Sequence, residues 1–360
     1  MKNLLKPSIY WLFAFIPIAF ILETRHASAP WIFFSAALSI VPIARLIGTS
    51  TEHLATYTGD AIGGLLNATF GNLPELIIAV IALKAGLHQM VLASLAGAIL
   101  ANLLLAMGVS FLVGGIKFHN QDYNAPSVRV YSSMMLIAVI SISIPGGFHH
   151  LTADCDHKEI ENVLNNNLAF VLLAGYVLYL FFMIKTHPDF FGSEGGGHSE
   201  HHGERWSLTR SLVTLLVASV MAAFMSEVHV GAAEETGEVL GMSSVFIGVV
   251  FLAVVGGAAE SISAISMGAK NKMDLSIGIA LGSSIQIALF IAPLLVILSN
   301  FVGPGQLNLT FPRSLIIALF LSVILAAMVA GDGRSNWYKG VQLIIVYVII
   351  AMLLYYIPTV

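Results

Sequence analysis

The chain has 360 residues, of which 57% are hydrophobic and 10% charged, with mean hydropathy +0.88 and formal net charge −4. Soluble domains are about 25% charged, so this composition excludes a soluble globule and describes an integral membrane protein. The apolar runs lack a period-2 alternation, which argues against a transmembrane barrel; no basic tract suggests nucleic acid, and the single cysteine, Cys155, excludes an internal disulfide.

The first apolar run, 9–22, follows Lys2 and Lys6 and ends near Ala27-Ser28-Ala29, which resembles a signal-peptidase site. It covers only about 21 Å as a helix, against a hydrocarbon core of about 30 Å. Pro30 would directly follow the cut and disfavours cleavage, so the run is read as a retained first helix over 9–24. Further spans are predicted at 30–50, 59–84, 88–115, 128–146, 163–186, 207–228, 238–268, 273–299, 312–330 and 338–357, about eleven in all. The expected fold is all-α, with an N-terminal helix (1–29), a five-helix repeat (30–186), a cytoplasmic His- and Gly-rich linker (187–206) and a second five-helix repeat (207–360).

Lys and Arg set the orientation. With the N-terminus in the cytoplasm, the inside holds Lys2, Lys6, Arg45, Lys117, Arg129, Lys185, Arg205, Arg210, Lys270, Lys272, Arg334 and Lys339, and the outside Arg25, Lys84, Lys158 and Arg313, or 12 against 4. Acidic clusters at 154–161 and 227–238 fall outside. A multi-pass protein of a prokaryotic cell membrane is expected.

Two carboxylates interrupt this apolar pattern: Glu75 in Gly71-Asn72-Leu73-Pro74-Glu75 and Glu260 in Gly256-Gly257-Ala258-Ala259-Glu260. A charge at membrane depth is costly and marks an ion or proton pathway. Gly71 and Gly256, Glu75 and Glu260, and Gly97 and Gly282 are each 185 positions apart, with Asn102 and Gln286 shortly after the last glycines. Odd-numbered repeats enter the membrane in opposite senses and place their ion site near the midplane. Pro74 and the glycines favour broken helices whose carbonyls can face a cation. The two glutamates, carbonyls of Gly71, Gly256 and Gly257, and the Asn72 amide would form an all-oxygen cage suited to calcium. Asn102, Gln286 and Ser283 are candidate lining residues. The nearest basic residues in the same spans, Lys84 and Lys270, are about 14 Å along the helix from the glutamates, too far for local pairing. Two such carboxylates can hold one divalent ion or protons, hardly both, which points to cation–proton antiport.

The stretch from Gly64-Leu65-Leu66-Asn67-Ala68-Thr69-Phe70 through Gly71-Asn72-Leu73-Pro74-Glu75-Leu76-Ile77 resembles the first signature of the calcium/proton exchangers, within the calcium/cation antiporter superfamily. Val254-Val255-Gly256-Gly257-Ala258-Ala259-Glu260, Lys270-Asn271-Lys272-Met273-Asp274-Leu275 and Gly282-Ser283-Ser284-Ile285-Gln286-Ile287-Ala288-Leu289-Phe290 are similar to the second. The resemblance implies eleven helices, alternating access around Glu75 and Glu260, and assistance from Asn72 and nearby carbonyls. Calcium and protons are the implied substrates, the bilayer the surroundings; no cofactor is expected, and a homo-oligomer is compatible. The family usually has Asn where this chain has Gly257, leaving a carbonyl, water or Gln286 to compensate. The sodium/calcium branch typically has Thr-Ser before Pro-Glu, so Gly71-Asn72-Leu73 favours protons over sodium. Sodium-coupled calcium exchange, or proton-coupled exchange of manganese or sodium, is the runner-up. A channel would more often use an acidic ring from several subunits, and an intramembrane enzyme finds no His-Glu-x-x-His here.

Other polar features have plainer readings. Glu52, Glu227, Glu234, Glu235 and Glu238 lie near span ends; Glu227 and Glu52 are candidate entrance or proton-relay groups, the rest solvated helix ends. Gly97, Ala98, Gly278 and Gly282 are expected at close helix contacts. The linker histidines His187, His198, His201 and His202 belong to a connector, and His149 to His157 match no defined metal spacing. Asp332, between Gly331 and Gly333, has no evident partner.

Overall fold

A computed structural model describes residues 8–58, 63, 66, 69–151, 158–187 and 206–356. Eight of its helices are long and apolar enough to cross a membrane: α2 (Ala29–Ala55), α4 (His88–Phe118), α5 (Ala125–Leu151), α6 (Glu159–Thr186), α7 (Leu208–Leu240), α10 (Met273–Ser299), α11 (Arg313–Ala330) and α12 (Trp337–Tyr356). A ninth span is the bent pair α8 (Ser244–Gly256) and α9 (Ala258–Ala269), and shorter apolar helices are α1 (Ile9–Thr24) and α3 (Leu73–Lys84). Much of the predicted 59–84 span before α3 lies outside the described residues.

Burial sorts these helices. In α4, 94% of the apolar window is buried, against 28% in α6 and in α12. Outer helices expose large apolar side chains, among them Val171, Leu216 and Met328. Water would make that surface unfavourable, whereas lipid tails match it. Buried α4 carries small residues where partners approach. A methyl group on Gly97 would run into the Val249 backbone, and one on Gly115 into the backbone of Asn336 and Trp337. The expected close contact at Gly282 does not form: a methyl group there meets nothing within 4 Å, and at Gly278 only the Tyr131 hydroxyl at 3.9 Å. The π-helical stretches Ala101–Ala106, Ile247–Leu252 and Ile287–Ile291 interrupt α4, α8 and α10, and such insertions often accompany functional sites.

Four features depart from the sequence reading. First, α2 continues through Ala55, past the predicted end at 50, which sets Arg45 deeper inside its helix than the predicted span did. Second, the acidic 227–238 segment is helical in its first part to Gly231 and again over Ala233–Leu240. Third, the all-α pattern carries a two-stranded antiparallel ribbon, β1 (Asn120–Asp122) with β2 (Arg334–Asn336). Fourth, Asp332 does have a partner: both its oxygens accept from Lys339 Nζ at 2.6 Å. Burial works to raise the Asp332 carboxyl, but the Lys339 hydrogen bond and charge outweigh it and lower its pKa.

The linker lies mostly outside the described residues, as does 152–157 with Asp154, Cys155 and His157. Where the chain re-enters at Trp206, its ring stacks on His53 with centroids 4.7 Å apart and lies under Arg210 at 4.3 Å. The Tyr57 hydroxyl donates to the Trp206 carbonyl at 2.6 Å. This end of α7 is thereby tied to the end of α2, its most extensive neighbour.

Candidate cation site

Glu75 and Glu260 occupy the same place in two matching helices. Each is the third residue of a 12-residue helix, α3 or α9, and each helix starts at a break. Gly71 and Asn72 form a turn before α3, whose first turn accepts Pro74 because the missing N–H would have no helical partner there. At the other break α8 and α9 meet at 62° about Gly257. The starts of α3 and α9 are separated by the same spacing as the two glutamates, and so are the starts of α4 and α10. Each break exposes first-turn N–H groups, beside which a carboxylate is electrostatically favourable.

The two helix starts bring the carboxyl groups close enough for the charge of one to act on the other. As two carboxylates they offer each other no donor; with one proton between them they form a hydrogen bond. Glu75 is only 7% exposed, and neither of its oxygens has a hydrogen-bond partner among the described residues. Glu260 is half-buried, with its Oε2 buried and equally unpartnered. Unsatisfied buried carboxylate oxygens are costly, which is what a site completed by a cation or a proton would show.

An amide–hydroxyl network flanks the pair. Ser283 Oγ donates to Asn72 Oδ1 at 2.6 Å, Asn102 Nδ2 donates to Ser283 Oγ at 3.3 Å, and Asn72 Nδ2 donates to Gln286 Oε1. Asn72, Asn102 and Ser283 are buried and Gln286 is half-buried. These four expected residues are therefore brought together. The Asn72 amide oxygen is already engaged by Ser283, which leaves one lone pair free. Among the expected carbonyls, Gly257 O accepts from Ser261 N at 3.0 Å as the first bond of α9. Gly256 lies against Glu75, where a methyl group would stand 3.0 Å from Glu75 Cγ.

Glu52 and Glu227 are not joined to this cluster by any described hydrogen bond or ion pair; Glu52 is half-buried near the end of α2 and Glu227 exposed on α7. Sequence reasoning missed Arg45. Its Nη1 donates to Ser263 Oγ at 2.7 Å, one turn beyond Glu260, and its charge acts on Glu260. A charged residue inside an apolar helix was the available signal. Among the described residues no group of three or more His, Cys, Asp or Glu side chains gathers.

A profile of the family described as sodium/calcium exchanger protein matches residues 28–185 and 210–356. The chain is similar to the Ca(2+)/H(+) antiporter of Aphanothece halophytica, 39% identical over 99% of this chain and 98% of that protein. It is also similar to the Ca(2+)/H(+) antiporter ChaA of Bacillus subtilis (strain 168), 38% identical over 94% of this chain and 95% of that protein. Among solved structures, native YfkE superposes with a TM-score of 0.83 at 36% identity, covering 97% of this chain and 100% of that one.

Proposed function

Because this chain belongs to the sodium/calcium exchanger protein family, we propose that it is a secondary active antiporter exchanging calcium for protons across a membrane. The observation that carries this reading is the pair of carboxyl groups at two broken helix starts, with Glu75 buried and both its oxygens unpartnered among the described residues. Relatives named as calcium/proton antiporters along nearly the full length support the choice of substrates.

The chemistry follows from the donor set. Calcium takes roughly six to eight oxygens in a flexible arrangement, and two carboxylates with amides, carbonyls and water supply them. Once calcium leaves, two adjacent charges remain at membrane depth, an arrangement that opposes their passage across the bilayer. Protons remove that charge and let the emptied site return. Exchange is thus enforced by one site with two alternative occupants, exposed to either side in turn. The excess of Lys and Arg on one side supports a cytoplasmic N-terminus.

The test is purified protein in proteoliposomes with an imposed calcium gradient and a pH-sensitive dye inside. Calcium entry should drive protons out, and an opposing pH gradient should slow it. Calcium flux indifferent to the pH gradient would sink the proposal. Repeating the assay with manganese and with sodium as the driving ion separates this reading from its runner-up.

A further inference from the structure

The two halves of the site are unequal at one position. Three residues before Glu75 stands Asn72, whose amide reaches across to Ser283 and Gln286 on α10. Three residues before Glu260 stands Gly257, which has no side chain to send toward α4.

The two adjacent glycines have different reasons to be small. A methyl group on Gly256 would crowd Glu75 Cγ, so that residue lets α8 and α3 approach. On Gly257 a methyl group would meet Ala253 O at 3.4 Å, Glu75 Oε1 at 3.5 Å and Asn102 Oδ1 at 3.9 Å, all ordinary contact distances. Gly257 has φ −80° and ψ 12°, which other L-residues adopt. Neither backbone nor packing therefore demands glycine here. What its absent side chain leaves is a niche walled by a carboxylate, an amide and a carbonyl oxygen. Glu75 is 7% and Asn102 2% exposed, and neither Glu75 oxygen has a hydrogen-bond partner among the described residues. Walls made of acceptors, one of them charged, suit a cation or a water whose hydrogens point at them.

We propose that Gly257 determines which cations the site takes, by leaving room for a water that a bound divalent cation keeps, in the place where Asn72 supplies an amide on the other side. The inference rests on the exchanger reading above. Calcium and larger alkaline-earth cations tolerate high, flexible coordination, so a retained water completes their shell; smaller ions hold stricter geometry with fewer ligands. Filling the niche therefore disfavours the largest cations first.

Gly257→Ala fills it with a methyl group, and Gly257→Ser fills it while returning an oxygen. In proteoliposomes driven by strontium, calcium or manganese, Gly257→Ala should raise KM about tenfold for calcium, more for strontium and least for manganese, with Vmax little changed. Gly257→Ser should recover calcium KM to within about threefold of wild type. Equal KM changes for all three cations, no change at all, or a serine variant as impaired as the alanine variant would each overturn the niche. Calorimetric binding of the same three cations to purified wild type and both variants reads the same ranking without transport. If wild type binds calcium but releases no protons, the exchange reading fails while the ranking still decides the niche. Should the alanine variant not fold, the serine variant alone must still keep calcium ahead of strontium by a wider margin than wild type does, and an unchanged margin counts against the niche.

Discussion

Glu75 and Glu260 are legible in the sequence because a carboxylate inside an apolar run is expensive wherever the chain folds. The structure adds that each is the third residue of a helix beginning at a break, and that the charge of one acts on the other. Glu75→Gln keeps the shape and supplies an amide donor that the Glu260 carboxylate can accept, imitating the pair when it shares a proton. The variant should therefore fold with stability within about 1 kcal/mol of wild type. It should nonetheless lose calcium-driven proton release down to the level of empty liposomes, since one of two charges needed by the cation is gone; Glu260→Gln should do the same. Retained exchange in either folded variant would remove that carboxyl from the site. Arg45 was harder to recognise. A basic residue near the inner end of a predicted span reads as an orientation signal, whereas its guanidinium donates to Ser263, 218 positions away, a partner that no local pattern identifies.

Among elements, the recurring spacing announced two equivalent broken helices, and α3 and α9 do start at equivalent positions. What spacing could not announce is which glycines touch a neighbour. Gly97 and Gly282 occupy corresponding places, yet Gly97 lies against the Val249 backbone and Gly282 faces open space. The difference depends on the partner helix, because sequence periodicity describes a helix by itself. Gly97→Ala should consequently separate α4 from α8 and cost about 1–3 kcal/mol, whereas Gly282→Ala should be neutral or stabilise by up to about 1 kcal/mol through helix propensity. Thermal unfolding in detergent, followed by the fraction surviving size-exclusion chromatography, checks both. Equal melting temperatures for the two variants would contradict the asymmetric packing. The β1–β2 ribbon was invisible for a related reason: three-residue strands carry too little pattern, and the two strands lie about 200 positions apart in sequence.

At the scale of the whole molecule, apolar composition alone required the bilayer, while the direction of insertion rests on the 12-to-4 distribution of Lys and Arg. The fold offers a direct way to read that direction. Helix α10 has 27 residues, about 40 Å of rise, enough to cross a hydrocarbon core of about 30 Å. Exposed Lys270 precedes it, and Phe301, 83% exposed, follows it. In a Cys155→Ser background, Lys270→Cys and Phe301→Cys should thus react with a membrane-impermeant maleimide from opposite faces. The positive-inside count puts Lys270 in the cytoplasm, so intact cells should label Phe301→Cys, and Lys270→Cys should label only after permeabilisation. Losing one of the 12 inner charges leaves the bias intact, so the substitution itself should not invert the protein. Labelling of both cysteines from one face would mean that α10 does not span the membrane, and two carboxyls held at its depth could not then be reached from each side in turn. Labelling from opposite faces in the reverse order would keep the exchanger intact but invert the direction in which calcium and protons are delivered.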